Sequence, residues 1–332
     1  MTDKKKLQEL YGEITDSESV TIFVAPPIRF THKQSDYLYL LYKEIFTSAR
    51  YEVKSLKTLS HFKPLLNQLS GKSSILHYHW LEIRSLYSLP IFLYKFIFIL
   101  FYKWAGGKLV WTVHNKMPLD VKHQRINFLF RRWMAKNAAL LHIQCRAPIP
   151  EISRFYGVDE SKFRVIPHPK FPPKLMPRAA AIEAINHRFD VHIKVQDRLF
   201  LMIGHISEYK GIIEVCEIFK SEPIQKKLII AGPVKKGQMK YYKTLRRISK
   251  SSENIILIPQ FINEESVPEF MNAPDYLIFN FKNVITSGGV HLAMSYQKSA
   301  ILPETDCMKE LNGENFHFFK TSEELKELIR SC

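Results

Sequence analysis

The residues best suited to chemistry lie in the run NVITSGGVHLAMSYQKSA, Asn283–Ala300. An apolar strand, Tyr276–Phe279, leads through a loop to Thr286, Ser287, Gly288 and Gly289, and Val290, Ala293 and Met294 then share a helical face. Serine suits an N-cap, and glycines let a bound group approach the first N–H groups closely. The helix dipole adds partial positive charge there, so a pyrophosphate is a natural occupant. A second segment, LFLMIGHISEYKG, reads as a strand ending at Gly204, a loop through His205, and a helix opened by Lys210-Gly211. Lysine at a helix start opposes the dipole, and a bound anion would explain it. In the third, KLIIAGP, a strand ends at Gly232-Pro233, on the same expected edge of the sheet.

These segments need a scaffold that gathers strand ends. In the first half Val20–Ala25, Tyr51–Leu56, Ser74–Tyr78, Lys108–Val113, Ala139–Cys145 and Phe163–Pro167 read as strands. Helical periodicity between them is clearest at Asp36–Ala49 and Lys122–Lys136. Strands apolar enough to be covered on both sides, alternating with helices, indicate a parallel, doubly wound sheet. Five prolines between Pro167 and Pro177 interrupt the alternation, and neither a helix interior nor a central strand tolerates that density. The pattern then restarts and runs to the C-terminus. The expectation is an α/β chain of two Rossmann-like doubly wound domains, 1–172 and 173–332. Both would face a cleft at the carboxyl ends of their strands. A chain of 332 residues fits two domains.

Composition narrows the classes further. Hydrophobic residues make up 46% and charged residues 24%, which excludes a disordered, fibrous or disulfide-scaffold chain. The net charge of +16 is uneven: residues 1–172 carry 26 basic and 13 acidic side chains, residues 173–332 carry 22 and 19. Cys145, Cys216, Cys307 and Cys332 show no CxxC pair and no histidine at ligand spacing. That disfavours zinc and suggests free thiols in a reducing cytoplasm. No signal peptide is visible. The stretch LYSLPIFLYKFIFILFYKW, Leu86–Trp104, approaches spanning length but contains Pro90, Lys95 and Lys103. It reads as a buried helix, as an interfacial one with rings among headgroups and lysines on phosphates, or as a transmembrane span.

The order of segments resembles GT-B glycosyltransferases. A strand ending in Gly, a Lys-Gly loop, LIIAGP and TSGGVHLAMSYQKSAIL are similar to their nucleotide-binding half. HYHWLE (His77–Glu82), VWTVHNKMP ending at Pro118, and RVIPHPKF (Arg164–Phe171) are similar to segments of bacterial family-4-like transferases of surface polysaccharide synthesis. The resemblance covers most of the chain. It implies a hexosyltransferase, with Gly204, His205, Lys210, Gly211, Gly232, Thr286, Ser287, Gly288 and Gly289 holding the diphosphate of a UDP- or GDP-sugar. His79, Asn115 and His168 would line the acceptor side. No Asp-x-Asp element is present, so no metal and no cofactor is expected, the dipoles and Lys210 neutralising the leaving group. The implied acceptor is a lipid-linked or oligosaccharide glycan.

One departure bears on mechanism. Retaining members carry two glutamates eight positions apart, and Val284 and Leu292 stand there. An inverting route needs one base within ~3 Å of the acceptor hydroxyl, for which Asp36, Glu82, His114 and Asp120 are candidates. Asp36 also suits a helix cap.

The basic first half fits an anionic membrane, with Lys95, Lys103, Lys108, Lys116, Lys122, Arg125, Arg131 and Arg132 bracketing the aromatic stretch. With the lipid-linked acceptor that the resemblance implies, the expectation is a cytoplasmic protein peripheral at the inner face of the cell membrane. Nucleic acid is the competing partner for such charge, but no recognition motif accompanies it. A sugar-nucleotide epimerase, or a binding protein of the same fold, is the remaining alternative.

Overall fold

The computed structural model describes residues 6–83, 85–119, 123–282, 284–311 and 313–332. They form two compact units, Met1–Pro169 and Lys170–Cys332, divided three residues ahead of the expected boundary. In the first unit β1 (Val20–Ala25), β2 (Tyr51–Ser55), β3 (Ser74–Tyr78), β4 (Lys108–Thr112), β5 (Leu140–Ile143) and β6 (Phe163–Val165) pair in the order β2-β1-β3-β4-β5-β6. In the second, β7 (Arg198–Ile203), β8 (Lys226–Ala231), β9 (Ile255–Ile258), β10 (Tyr276–Ile278), β11 (Ser299–Pro303) and β12 (Phe316–Phe319) pair as β12-β11-β10-β7-β8-β9. Every pairing is parallel.

Two-sided cover explains the composition of the strands. All six residues of β1 are buried. In the second unit Leu199, Leu201, Ile229 and Ala231 enter one core cluster, while Phe200, Met202, Leu228 and Ile230 enter another. The alternation of side chains along a strand puts these sets on opposite faces, so both faces need apolar residues. Each unit is therefore a Rossmann-like layered domain, as the alternating pattern predicted.

Several elements differ from the sequence expectation, three of them instructively. The Asp36–Ala49 helix is confined to Tyr37–Tyr42. Helix Arg178–Phe189 (RAAAIEAINHRF) has too few large apolar residues to show a strong period, yet it buries Ala181, Ile182 and Ile185. β12 (FHFF) lacks the bounded apolar pattern of a strand and is only partly buried over three of its residues. The proline-rich stretch after Lys170 is fastened to the second unit. The Phe171 amide donates to Ser295 Oγ at 3.0 Å and the Lys174 amide to Tyr296 Oη at 3.2 Å, while Asn272 Nδ2 donates to the Lys174 carbonyl at 2.9 Å. Cys216 and Cys332 are free. Cys145 and Cys307 are not free thiols, which corrects that part of the cysteine reading.

Candidate functional site

Each sheet has one point where the winding reverses direction, and ligands of open α/β sheets bind outside the carboxyl ends of the strands there. In the second unit that point lies between β7 and β10. Gly204 follows β7 with φ 99° and donates its N–H to the Ala231 carbonyl at 2.8 Å. Gly232 follows β8 with φ 145°, and a Cβ there would fall onto the Gly204 carbonyl oxygen. Only glycine fits at that contact.

Lys210 reaches back over this edge. Its Nζ donates to the Ile203 carbonyl at 3.0 Å, and a Cβ on Gly204 would stand 2.8 Å from it. No carboxylate among the described residues pairs with Lys210. Burial, together with the nearby Lys235 ammonium, pushes its pKa down to about 8. Lys235, which the sequence reading did not single out, also lies over the Tyr209 ring at 5.3 Å. Gly211 takes φ 58° and opens helix Ile212–Phe219. Asn280 Nδ2 donates to the Gly211 carbonyl at 3.0 Å, and the Lys282 amide to the Tyr209 carbonyl at 3.0 Å. The exit of β10 thereby fixes the turn that carries Lys210. Asn280 is a positioning residue that a strand-end asparagine could have signalled. His205 is exposed beside this turn.

The helix after β10, Gly288–Ser295, completes the edge. Ser287 is extended, with φ −136° and ψ 123°, and makes no side-chain cap. The Val290 and His291 amides turn back to the Ser287 carbonyl at 3.0 and 3.2 Å. The Gly288 and Gly289 amides precede the first helical bonds and have no acceptor among the described residues. Such N–H groups, backed by the dipole, attract an anion. Gly288 is exposed, whereas Gly289 has a packing reason of its own, since a Cβ there would stand 2.9 Å from Phe279 Cε1. Thr286 Oγ1 is bonded to His291 Nε2 at 2.9 Å, which holds the loop to the helix. Val284 and Leu292 pack against the apolar core, so neither position offers a polar contact.

In the first unit the winding reverses between β1 and β3, and histidines and tyrosines gather around it. Tyr11 Oη and Tyr42 Oη reach His77 Nδ1 at 2.6 and 2.7 Å. His77 Nε2 meets Thr112 Oγ1 at 2.8 Å, Thr112 Oγ1 meets His142 Nδ1 at 2.9 Å, and His142 Nε2 meets the Ile166 carbonyl at 3.0 Å. A carbonyl only accepts, so His142 carries its proton on Nε2. Thr112 then donates to His142 Nδ1 and accepts from His77 Nε2–H, which leaves His77 Nδ1 to accept from a tyrosine. This chain is satisfied and neutral. Burial lowers the pKa of His142 to about 4 and that of His77 well below its ordinary value.

Beside that chain stands a second, unsatisfied set. Tyr37 Oη, His79 Nδ1, His114 Nε2 and both amide atoms of Gln144 are buried without a hydrogen-bond partner. Burial raises the Tyr37 pKa, opposed by the Gln144 amide beside it, although the two do not reach bonding geometry. The Tyr37 ring lies 5.3 Å from His114, 4.9 Å from His168 and 5.8 Å from His79. Trp80 stacks on His114 at 4.2 Å and 7°. Burial lowers the pKa of His79 and His114 well below the ordinary value and that of His168 to about 4. The set therefore gathers uncharged donors and acceptors beside an indole face, groups of the kind that bind hydroxyls. Gln144, Tyr37 and Trp80 were missed in the sequence, where nothing marks a glutamine or an aromatic as joining such a cluster.

The other candidate bases sit differently. Asp36 accepts the Tyr39 amide at 2.8 Å and caps helix Tyr37–Tyr42. Glu82 lies 3.9 Å from Arg131 Nη1. Arg131 also donates to Tyr156 Oη at 3.0 Å and to the Asn115 carbonyl, so Asn115 contributes its backbone to a loop anchor. Asn127 completes the anchoring by bonding the Ile83 amide and carbonyl at 2.9 and 3.0 Å. Asp120 lies outside the described residues. Of the three described candidates, His114 alone belongs to the unsatisfied set.

No protein-family model and no curated protein matches the sequence. Solved structures do. HepE from Anabaena, in complex with UDP and glucose, is similar with a TM-score of 0.65 and 15% identity over 95% of this chain and 89% of that one. A glycosyltransferase from Rickettsia africae gives 0.63 and 14% over 96% and 88%. WaaG, a glycosyltransferase involved in lipopolysaccharide biosynthesis, gives 0.55 and 14% over 94% and 90%. With two Rossmann-like units and these neighbours, the chain has the GT-B fold.

Proposed function

We propose that this protein is a glycosyltransferase that moves a hexosyl group from a UDP- or GDP-sugar to a hydroxyl of a glycan acceptor. The observation that carries the reading is Lys210: a half-buried ammonium with no carboxylate partner among the described residues, set over Gly204 at the winding reversal. The free amides of Gly288 and Gly289 open the helix that follows the neighbouring strand. The second unit would hold the donor diphosphate through these groups, Gly232 keeping the edge open for it. They would neutralise the leaving group without help from a metal. The first unit would hold the acceptor in the Tyr37, His79, His114 and Gln144 set, with His168 and the Asn115 loop beside it. A neutral imidazole can take the proton of an attacking hydroxyl, so His114 is the proposed base. The absence of both family carboxylates at Val284 and Leu292 supports an inverting route. A lipid-linked saccharide of surface-polysaccharide synthesis is the proposed acceptor class, supported by the family resemblance.

The same missing carboxylates favour a second reading, a nucleotide-sugar-binding protein without transfer. Adding a lipid-linked saccharide to the protein and a panel of UDP- and GDP-hexoses separates the two. The transferase reading expects nucleoside diphosphate to be released only when acceptor is present, and release to be lost in His114→Ala. Donor binding without acceptor-dependent release would establish the second reading instead.

A further inference from the structure

The solvent side of helix Leu89–Trp104 is apolar along its length. Leu93, Ile97, Leu100, Phe101 and Trp104 are all exposed, and they fall at i, i+4, i+7, i+8 and i+11 of one stripe. Phe92, Ile99 and Tyr102 are buried on the side facing the protein. A helix apolar all round belongs in a core or in lipid, and this chain covers one side only. Tyr87 and Trp104 stand at the two ends, 95% and 85% exposed. Against this helix packs the segment 59–69, through Phe62 on Phe98 at 6.4 Å and the Tyr94 hydroxyl donating to the Leu59 carbonyl at 3.0 Å. It adds exposed Leu59, Leu66 and Leu69.

Charge identifies the partner. Between residues 53 and 119 the chain has nine lysines and arginines and one acid, Glu82, and that acid faces Arg131. Lys57, Lys63, Lys72 and Lys108 are exposed and pair with no carboxylate among the described residues. A second copy would set lysine against lysine. An anionic bilayer meets both halves of the surface, its acyl boundary taking the apolar stripe and its phosphates the lysines. We propose that this face docks in the plane of an anionic lipid membrane. No helix among the described residues is long and apolar enough to cross one.

The docking charges differ from the set expected from sequence. Arg131 is buried in the loop anchor, Lys116 pairs with Glu151 at 2.6 Å, and Lys103 donates to the Gly107 carbonyl at 3.2 Å. Lys122 lies outside the described residues. Lys57, Lys63 and Lys72 on the neighbouring segment take their place, alongside Lys108.

The test is flotation with phosphatidylcholine vesicles, with and without phosphatidylglycerol, on the full chain. Wild type should float with the anionic vesicles and not with the neutral ones, and salt should release it. Lys63→Ala/Lys72→Ala should lower partition roughly thirtyfold. Ile97→Glu/Phe101→Glu should abolish it with an unchanged melting temperature, since both side chains face solvent. Equal flotation with neutral vesicles, flotation with neither, or a wild-type dimer that the Ile97/Phe101 variant turns into a monomer would each overturn the proposal. Docking does not depend on the transferase reading, and either can fail alone.

Discussion

Lys210→Met should weaken nucleoside-diphosphate binding by about a hundredfold or more while making the empty protein more stable. Preorganised donors aimed at developing charge typically contribute ~10²–10³ in rate, and a lysine clamp on a phosphoryl group acts in the same way. In the empty protein the ammonium is a liability. Its pKa falls from 10.5 to about 8 because burial and Lys235 disfavour the charge, a difference worth about 3 kcal/mol. The unfolded chain binds this proton more tightly than the folded one. Wild-type stability should therefore rise with pH between about 8 and 10.5, and below that window the folded protein carries the charge at a cost. Methionine keeps the stem and removes that cost, offset by the lost bond to the Ile203 carbonyl. Calorimetry with UDP and GDP at pH 7, beside thermal melts, reads both effects. Unchanged diphosphate affinity would remove Lys210 from the site. A collapse of stability would show that the lysine holds the fold instead.

The first unit should lose its structure in mild acid well before the second. Burial lowers the pKa of His142 and His168 to about 4, and that of His77, His79 and His114 well below the ordinary value. The unfolded histidines titrate near ~6.5. The stability tied to the neutral rings is thus whole above that pH and lost as pH falls toward 4. His142 alone should cost about 2 kcal/mol at pH 5. His77 has both nitrogens engaged, so protonation there also breaks the bond from a tyrosine. All four tryptophans, Trp80, Trp104, Trp111 and Trp133, lie in the first unit, so their fluorescence reports that unit. Urea titrations followed by tryptophan emission should shift to markedly lower midpoints between pH 7 and pH 5. Equal midpoints would mean that the rings are charged or solvated in the folded protein.

What the sequence disclosed follows from which signals are local. β1 and β7–β8 were readable because two-sided burial makes a continuous apolar run. Gly204, Gly211 and Gly232 were readable because backbone at positive φ next to a packed neighbour excludes other residues. Lys210 was legible as an unexplained charge at a helix start. The side-chain cluster of the first unit was half hidden. His79, His114 and His168 stood out as histidines at strand ends, but Gln144, Tyr37 and Trp80 acquire meaning only when β1, β3, β4 and β5 lie side by side. Glu82 looked like a base because a carboxylate's type does not reveal that it faces an arginine, whereas Asp36 makes the helix cap that its place in the sequence already suited. Helix Arg178–Phe189 was invisible because alanines bury a face without marking one.

A crystal structure of the chain with bound UDP or GDP tests the central claim most directly. The β-phosphate oxygens should lie about 3 Å from the Gly288 and Gly289 amides and from Lys210 Nζ. A diphosphate seated elsewhere on the second unit, with those amides facing solvent and Lys210 still on the Ile203 carbonyl alone, would contradict it.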